Sequence, residues 1–283
     1  MSSAASPERL DVLRGEIAKV PAFIRRDFLV AWSYRLAFFT DWIGMIVQLV
    51  TFAFIGRLVD PASVPTFGSR PATYLEFAAV GIALSSFMAV ALGRVHAVIR
   101  QEQLQGTLES LLITPTAYST IQMGSVAYDL AYVPVRTVIF FVFTSLLFGA
   151  DFQWSGLLPT VVILIVYIPF VWGIGIAGGA WVLTFRRGTG VIGVAMTLLT
   201  LGSGTYFPVQ VLPGWIRAIV GVLPLKLALD GVRSALLGGA GWADIAPRVL
   251  ALVPYAALSL AVGTWAFRAA LSRERRRGTL GMY

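Results

Sequence analysis

Apolar runs long enough to cross a bilayer recur six times along the chain, at about 36–56, 75–99, 119–149, 157–185, 189–208 and 248–268. A membrane helix needs about 20 mostly apolar residues, and each run meets that length. The first carries Asp41, the second has an uncharged core from Phe77 to Gly93, and the third embeds Asp129 and Arg136. From Phe152 to Phe185 there is no charge at all. That stretch is longer than one straight crossing requires, which predicts a tilt or a portion lying in the outer interface. The pattern predicts an all-α polytopic membrane protein with six transmembrane helices.

Two segments have a different pattern. Leu10, Leu13, Ile17, Val20, Ile24, Phe28 and Ala31 recur at steps of three or four, with charges on the other faces. This predicts an N-terminal amphipathic helix on the inner membrane surface, bent at Pro21. Residues 209–240 are apolar but interrupted by Pro213, Pro224 and four charges. Each half is too short to cross, so the segment reads as broken re-entrant or interfacial helices, about 212–221 and 224–237, before the last span. Lys226, Asp230 and Arg233 share one face of the second helix and predict a local salt-bridged surface.

Composition agrees with the pattern. Apolar residues are 57% and charged residues 13% of 283, against a usual charged share of about 25%, and the mean hydropathy is +0.79. An ordinary soluble domain, a disordered chain and a disulfide scaffold are excluded. With no cysteine and a single histidine, His96, there is no thiol chemistry, no cysteine-ligated metal and no His-rich metal site. The net charge of +8 does not point to nucleic acid, because the arginines sit at the ends of apolar runs. With six crossings, one side collects fifteen Lys and Arg residues and the other six. The richer side, holding both termini, is expected in the cytoplasm, and the membrane is expected to be a prokaryotic inner membrane. The first 35 residues lack the apolar core of a cleavable signal peptide. The expected organisation is a cytoplasmic interface helix over 1–35, a membrane domain over 36–270 and a basic cytoplasmic tail over 271–283.

The loop after the second span reads RQEQLQGTLESLLITPTA over residues 100–117. Gly106 and Thr107 can end one helix and cap the next. Leu108, Leu111 and Leu112 form one apolar face, Glu109 sits in the favourable first turn, and Thr114-Pro115 ends the helix. A two-turn amphipathic helix facing the cytoplasm suits the docking of a partner. Glu102, Gly106, Thr107, Leu108, Glu109, Leu111, Leu112, Thr114 and Pro115 together resemble the coupling-helix signature of ABC-2 type permeases, the membrane subunits of type V ABC exporters. Phe207-Pro208-Val209-x-x-Leu212-Pro213, followed by Leu223-Pro224-Leu225 and Asp230-Gly231-Val232-Arg233, is similar to that family's segment before its last span. The resemblance implies an ATP-driven exporter of an amphiphilic substrate, such as a drug-like molecule, a lipid or a lipid-linked glycan. It also implies a pair of ABC ATPase subunits beneath, contacted at 102–115 and by a second cytoplasmic contact at Arg186 and Arg187. A second copy of the permease or a paralogue, and membrane lipid, complete the expected partners.

The chain has no G-x-x-x-x-G-K-[ST] motif, so it cannot cradle ATP phosphates in a P-loop. It is expected to be a transport subunit rather than an enzyme, without catalytic residues or a cofactor of its own, with ATP and Mg on the partner. Gly202-Ser203-Gly204 lacks the spacing of a nucleophile elbow. Small residues in spans one and five, Gly44, Gly193, Gly202 and Gly204, suit close helix approach. Tyr206, Phe207 and Pro208 lie where span five should stop and form a candidate outer gate. Asp41, Asp129 and Arg136 are costly in lipid and should face protein or water. Pairing, substrate contact and a proton relay all remain open for them. The relay would suit the alternative of a proton-coupled secondary transporter, or a channel, working without an ATPase.

Overall fold

The computed structural model describes residues 20–68, 70–104, 118–185 and 189–277. The segment Gly106–Pro115, Arg186 and Arg187 lie outside the described residues, as do the side chains of Asp41, Glu102 and Asp129. The helices are α1 (Val20–Ser33), α2 (Arg35–Gly56), α3 (Tyr74–Leu104), α4 (Tyr118–Phe148) and α5 (Leu157–Phe185), then α6 (Thr189–Gly202), α7 (Gly214–Gly221), α8 (Pro224–Leu236) and α9 (Trp242–Arg277). A two-residue antiparallel ribbon, β1 (Thr66–Phe67) with β2 (Arg70–Pro71), closes the loop after α2.

Among the described residues, three helical stretches are long and apolar enough to cross a membrane: Tyr74–Gly93, Trp154–Phe185 and Trp242–Arg273. The other three expected spans hold shorter apolar helices, Trp42–Gly56, Tyr132–Phe148 and Gly190–Gly202. The span expected over 189–208 is a helix only to Gly202. Its apolar part covers about 20 Å at 1.5 Å per residue, against a hydrocarbon core of about 30 Å. The chain leaves the helix because Gly204 adopts φ +79° and Pro208 cannot donate to a continuing helix. Prolines inside helices are frequent here: Pro134 in α4, Pro169 in α5, and Pro247 and Pro254 in α9. Membrane helices tolerate them because neighbouring groups satisfy the freed carbonyls. Trp32, Trp154, Trp181 and Trp242 are all exposed, as suits rings in the interfacial belts of a membrane protein.

The most extensive packing joins α9 to α5, and α3 also lies on α5. The α5–α9 crossing is made by glycine. A Cβ on Gly173 would sit 2.3 Å from the carbonyl carbon of Ser259, and one on Gly263 would sit 2.3 Å from the Gly173 oxygen. Neither obstacle is a side chain that can rotate away. Gly44 and Gly193, singled out from sequence for close approach, have nothing within 4 Å; the close crossing lies elsewhere. Gly263→Leu is expected to force the two backbones apart at a cost of about 1–3 kcal/mol or more. Thermal unfolding of the purified protein in detergent should show a clear loss, whereas Gly193→Leu should leave the melting of a single protomer unchanged.

One end of the bundle collects the loops 57–73, 149–156 and 203–223. The helix α8 is set into this end rather than lying on it. Leu225, Ala228, Leu229, Val232, Ala235 and Leu236 are all buried, packed against α5, α9 and α3. The Gln153 N–H donates to the Leu236 carbonyl at 2.7 Å, and a Cβ on Gly156 would lie 2.0 Å from the Ala235 oxygen. The preceding α7 stays on the surface, with Trp215 and Ile219 exposed. The two halves of the broken segment thus have different fates.

Candidate functional site

Two adjoining cavities, each of about 280 Å³, lie along the inner faces of α2, α3, α4 and α6. The first is lined by Met45 and Gln48 of α2, Ser85 and Ser86 of α3, and Arg136, Thr137 and Phe140 of α4. The second is lined by Met196, Thr197, Thr200 and Leu201 of α6. Ser85, Ala89 and Tyr206 belong to both. Ser85 and Ser86 lie about 17 Å along α3 from its start at 1.5 Å per residue, so the chamber lies part-way along the helices, and it is open at the side where Ala89, Thr197 and Leu201 are exposed. Its hydroxyls are tied back to their own helices: Ser85 Oγ donates to the Ile82 carbonyl at 3.0 Å, Ser86 Oγ to Ala83 at 2.6 Å and Thr197 Oγ1 to Gly193 at 3.0 Å. Their oxygen lone pairs remain as acceptors, while Arg136 and the Gln48 amide contribute donors. A lining of mixed polar and apolar groups suits a molecule with both polar and apolar parts.

Tyr206 stands where the two cavities meet. Its ring stacks on Phe52 with centroids 5.3 Å apart and planes 11° from parallel. Its carbonyl accepts from Tyr74 Oη at 2.9 Å. The adjacent carbonyl of Thr205 accepts from Arg233 Nη2 at 3.1 Å, and the same nitrogen donates to Phe77 O at 3.0 Å. The Arg233 guanidinium also lies over the Phe77 ring, 3.5 Å from its centroid. Thr205 reaches α3 because residue 81 is glycine: a Cβ there would sit 2.0 Å from the Thr205 oxygen. The segment 203–206 is therefore pinned from α2, α3 and α8.

Glu76, 2% exposed, anchors the same end. Its carboxylate accepts from the Thr73 N–H at 2.8 Å and the Asp151 N–H at 2.9 Å, and Thr73 Oγ1 accepts from the Glu76 N–H at 3.3 Å. This is a reciprocal cap of α3, extended to the loop after α4.

A family model described as "ABC-2 type transporter" matches residues 19–237, most of the chain. The chain belongs to the ABC-2 type transporter family. Proteins of this family are the membrane subunits of ABC transporters, which work with an ABC ATPase. A relative in Bacillus subtilis (strain 168), the linearmycin resistance permease protein LnrN, is 25% identical over 191 residues. That alignment covers 68% of this chain and 49% of the relative, so the chain spans about half the length of the curated relative it matches.

In this ABC-2 membrane subunit the sequence-selected groups fall in three places. Tyr206, Phe207 and Pro208 are half-buried beside the chamber. Pro213 caps α7 and Pro224 opens α8. Arg136 lines the first cavity. The salt-bridged face expected of Lys226, Asp230 and Arg233 forms only in part: Lys226 pairs with Asp230, while Arg233 turns inward to α3. Sequence reasoning missed Arg233 as a pin and Glu76 as a cap. The signal for Glu76 was legible as Thr73-x-x-Glu76 ahead of an apolar run. Arg233 gave no such signal, since its partners are backbone carbonyls far away in sequence.

Proposed function

We propose that this chain is the permease half of an ATP-driven exporter that moves an amphiphilic molecule out of the cytoplasm or inner leaflet. The observation that carries the reading is the chamber of mixed polar and apolar lining meeting at Tyr206, in a chain of the ABC-2 family. The outward direction is supported by the resistance role in the name of LnrN. In this reading the chain crosses six times, with both termini and the helix α1 on the cytoplasmic side. A separate ATPase dimer binds ATP and Mg, and couples through residues 102–115 with Arg186 and Arg187 as a second contact. The exposed face of α6, with Val191, Val194 and Leu198 all above 50% exposed, together with the open glycines Gly44 and Gly193, accommodates a second copy or a paralogue.

The test is reconstitution of the chain with its ABC ATPase in proteoliposomes. ATP-dependent movement of an amphiphilic antibiotic is expected. Equal movement without the ATPase, driven by a proton gradient, would overturn the reading in favour of a secondary transporter. A single cysteine along α6 should crosslink to a neighbouring protomer, cleanly because the native chain has none.

The chamber also sets an expectation for its closure. Tyr206→Ala removes the ring shared by both cavities and is expected to raise passive leak of a small dye severalfold without ATP. Phe207→Ala should do less, because the stack on Phe52 survives. The check is dye efflux from loaded proteoliposomes, with equal protein incorporation; a larger leak from the Phe207 variant would shift the gate by one residue.

A further inference from the structure

A third cavity lies apart from the chamber. It is an open groove of about 460 Å³ between α1 and α4, with walls from Pro21, Ile24, Phe28, Tyr128, Tyr132 and Val135. Its wall is almost entirely carbon. Tyr128 and Tyr132 are stacked with centroids 5.6 Å apart, and Phe28 leans on Tyr128 at 6.5 Å. One cation, the exposed Arg25, belongs to the lining. Further along α1 Phe28 stacks on Trp32 at 6.3 Å, and the guanidinium of Arg35, the first residue of α2, lies 5.7 Å from the Trp32 ring centroid. Arg25, Phe28 and Trp32 follow helical spacing on α1, and Arg35, across the break at Tyr34, closes the strip by its contact with Trp32, so that cations bracket exposed aromatic rings.

We propose that this groove holds an anionic glycerophospholipid of the cytoplasmic leaflet, with an acyl chain along the tyrosine wall and the phosphate at Arg25. Three observations select that occupant. The groove is apolar and open, so in a bilayer a hydrocarbon chain fills it without transferring apolar surface to water. The cation at its rim complements a negative headgroup, and the inner leaflet is the anionic one. The aromatic and basic strip along α1 and the start of α2 has the chemistry of a residue set at the headgroup level. A peptide partner would leave its backbone polar groups unpaired against a carbon wall. The leaflet assignment rests on the cytoplasmic placement of α1 proposed above. Since α1 leads directly into α2, a bound lipid would fasten the interface helix to the first span and to α4 together.

The experiment uses the full chain, purified in mild detergent and incubated with phosphatidylglycerol or phosphatidylcholine of identical acyl chains, then examined by native mass spectrometry. Phosphatidylglycerol is expected to be retained about fivefold more than phosphatidylcholine, the effect of one cation near the headgroup. Arg25→Gln should abolish that preference and Arg25→Lys should restore most of it. Val135→Trp, which fills the groove, should reduce retention of both lipids. Arg217→Gln, at the other end of the molecule, should leave the preference intact. Equal retention of the two lipids by the unaltered chain, or a preference untouched by Arg25→Gln, would overturn the proposal. It would do so even if Val135→Trp fails to fold. Labelling Ser33→Cys with a membrane-impermeant maleimide separates the leaflet from the groove. Protection in intact cells is expected. Labelling from outside would overturn the cytoplasmic leaflet assignment and the orientation on which it rests.

Discussion

Glu109→Arg or Leu111→Asp is expected to leave membrane insertion intact while abolishing association with the ABC ATPase and ATP-driven transport. A helix of two turns is too short to be stable alone in water, so it forms by packing on something. In the proposed coupling helix Leu108, Leu111 and Leu112 would supply an apolar knob, and Glu102 and Glu109 charge for basic groups on the partner. Burying one leucine in a groove contributes about 1.5–3 kcal/mol, and truncation at the centre of an interface costs 2 kcal/mol or more. Leu111→Asp loses that burial and adds the desolvation of a carboxylate. Glu109→Arg replaces attraction by repulsion if its partner is basic. Either change therefore weakens binding by a factor of at least about 30. The chain geometry explains why lost docking is also lost work. The segment leads from α3, which runs to Leu104, into α4, which begins at Tyr118. Both helices line the first cavity, so a push on the knob tilts two walls of the chamber at once. Co-purification of the ATPase with each variant is the direct check. Wild-type assembly and transport in either variant would remove the coupling assignment and favour the secondary-transporter alternative.

How much of this was legible beforehand depended on the range of the interaction. Helix ends set by proline, glycine or a change in polarity were readable, because those causes lie within a few residues. The broken segment was expected near 212–221 and 224–237, and is found at Gly214–Gly221 and Pro224–Leu236. Span five was read too long. Its apolar sequence continues past Gly202, and hydropathy does not register a turn made by backbone conformation at Gly204. The family was readable from motifs in two loops. The chamber was not, because it is assembled from α2, α3, α4 and α6, and only Arg136 and Tyr206 drew attention from sequence. Ser85, Ser86, Gln48 and Thr137 are ordinary polar residues until four helices bring them to one space. Gly81 and Gly156 were equally silent: each matters through a carbonyl more than 70 residues away in the chain.

Arg233 is the extreme case of such silent residues, and the chain is expected to be more sensitive there than anywhere else at the loop end. It is 2% exposed, and its described hydrogen bonds run to two backbone carbonyls, Phe77 and Thr205. Burying a guanidinium costs several kcal/mol, so the pin persists only because its donors are met by oxygens and its face by the Phe77 ring. Arg233→Glu turns this against the fold. A carboxylate has no proton to donate, and it would face two carbonyl oxygens and the negative face of a ring. The loss should reach about 3–5 kcal/mol, a large part of the 5–15 kcal/mol that separates native from unfolded proteins. The variant is expected not to accumulate in the membrane, as read by immunoblot and by its melting in detergent. Arg233→Met gives the contrast that identifies the role. It removes the buried charge with little loss of volume, so stability should change by no more than about 1–2 kcal/mol, since the regained solvation offsets the lost hydrogen bonds. What it cannot do is hold the Thr205 carbonyl. The segment that presents Tyr206 to Phe52 loses its third anchor, and the methionine variant should fold normally yet leak dye as Tyr206→Ala does. A glutamate variant with wild-type abundance and melting would show that α8 is not pinned through this side chain. A methionine variant that folds without leaking would show that the pin serves stability alone.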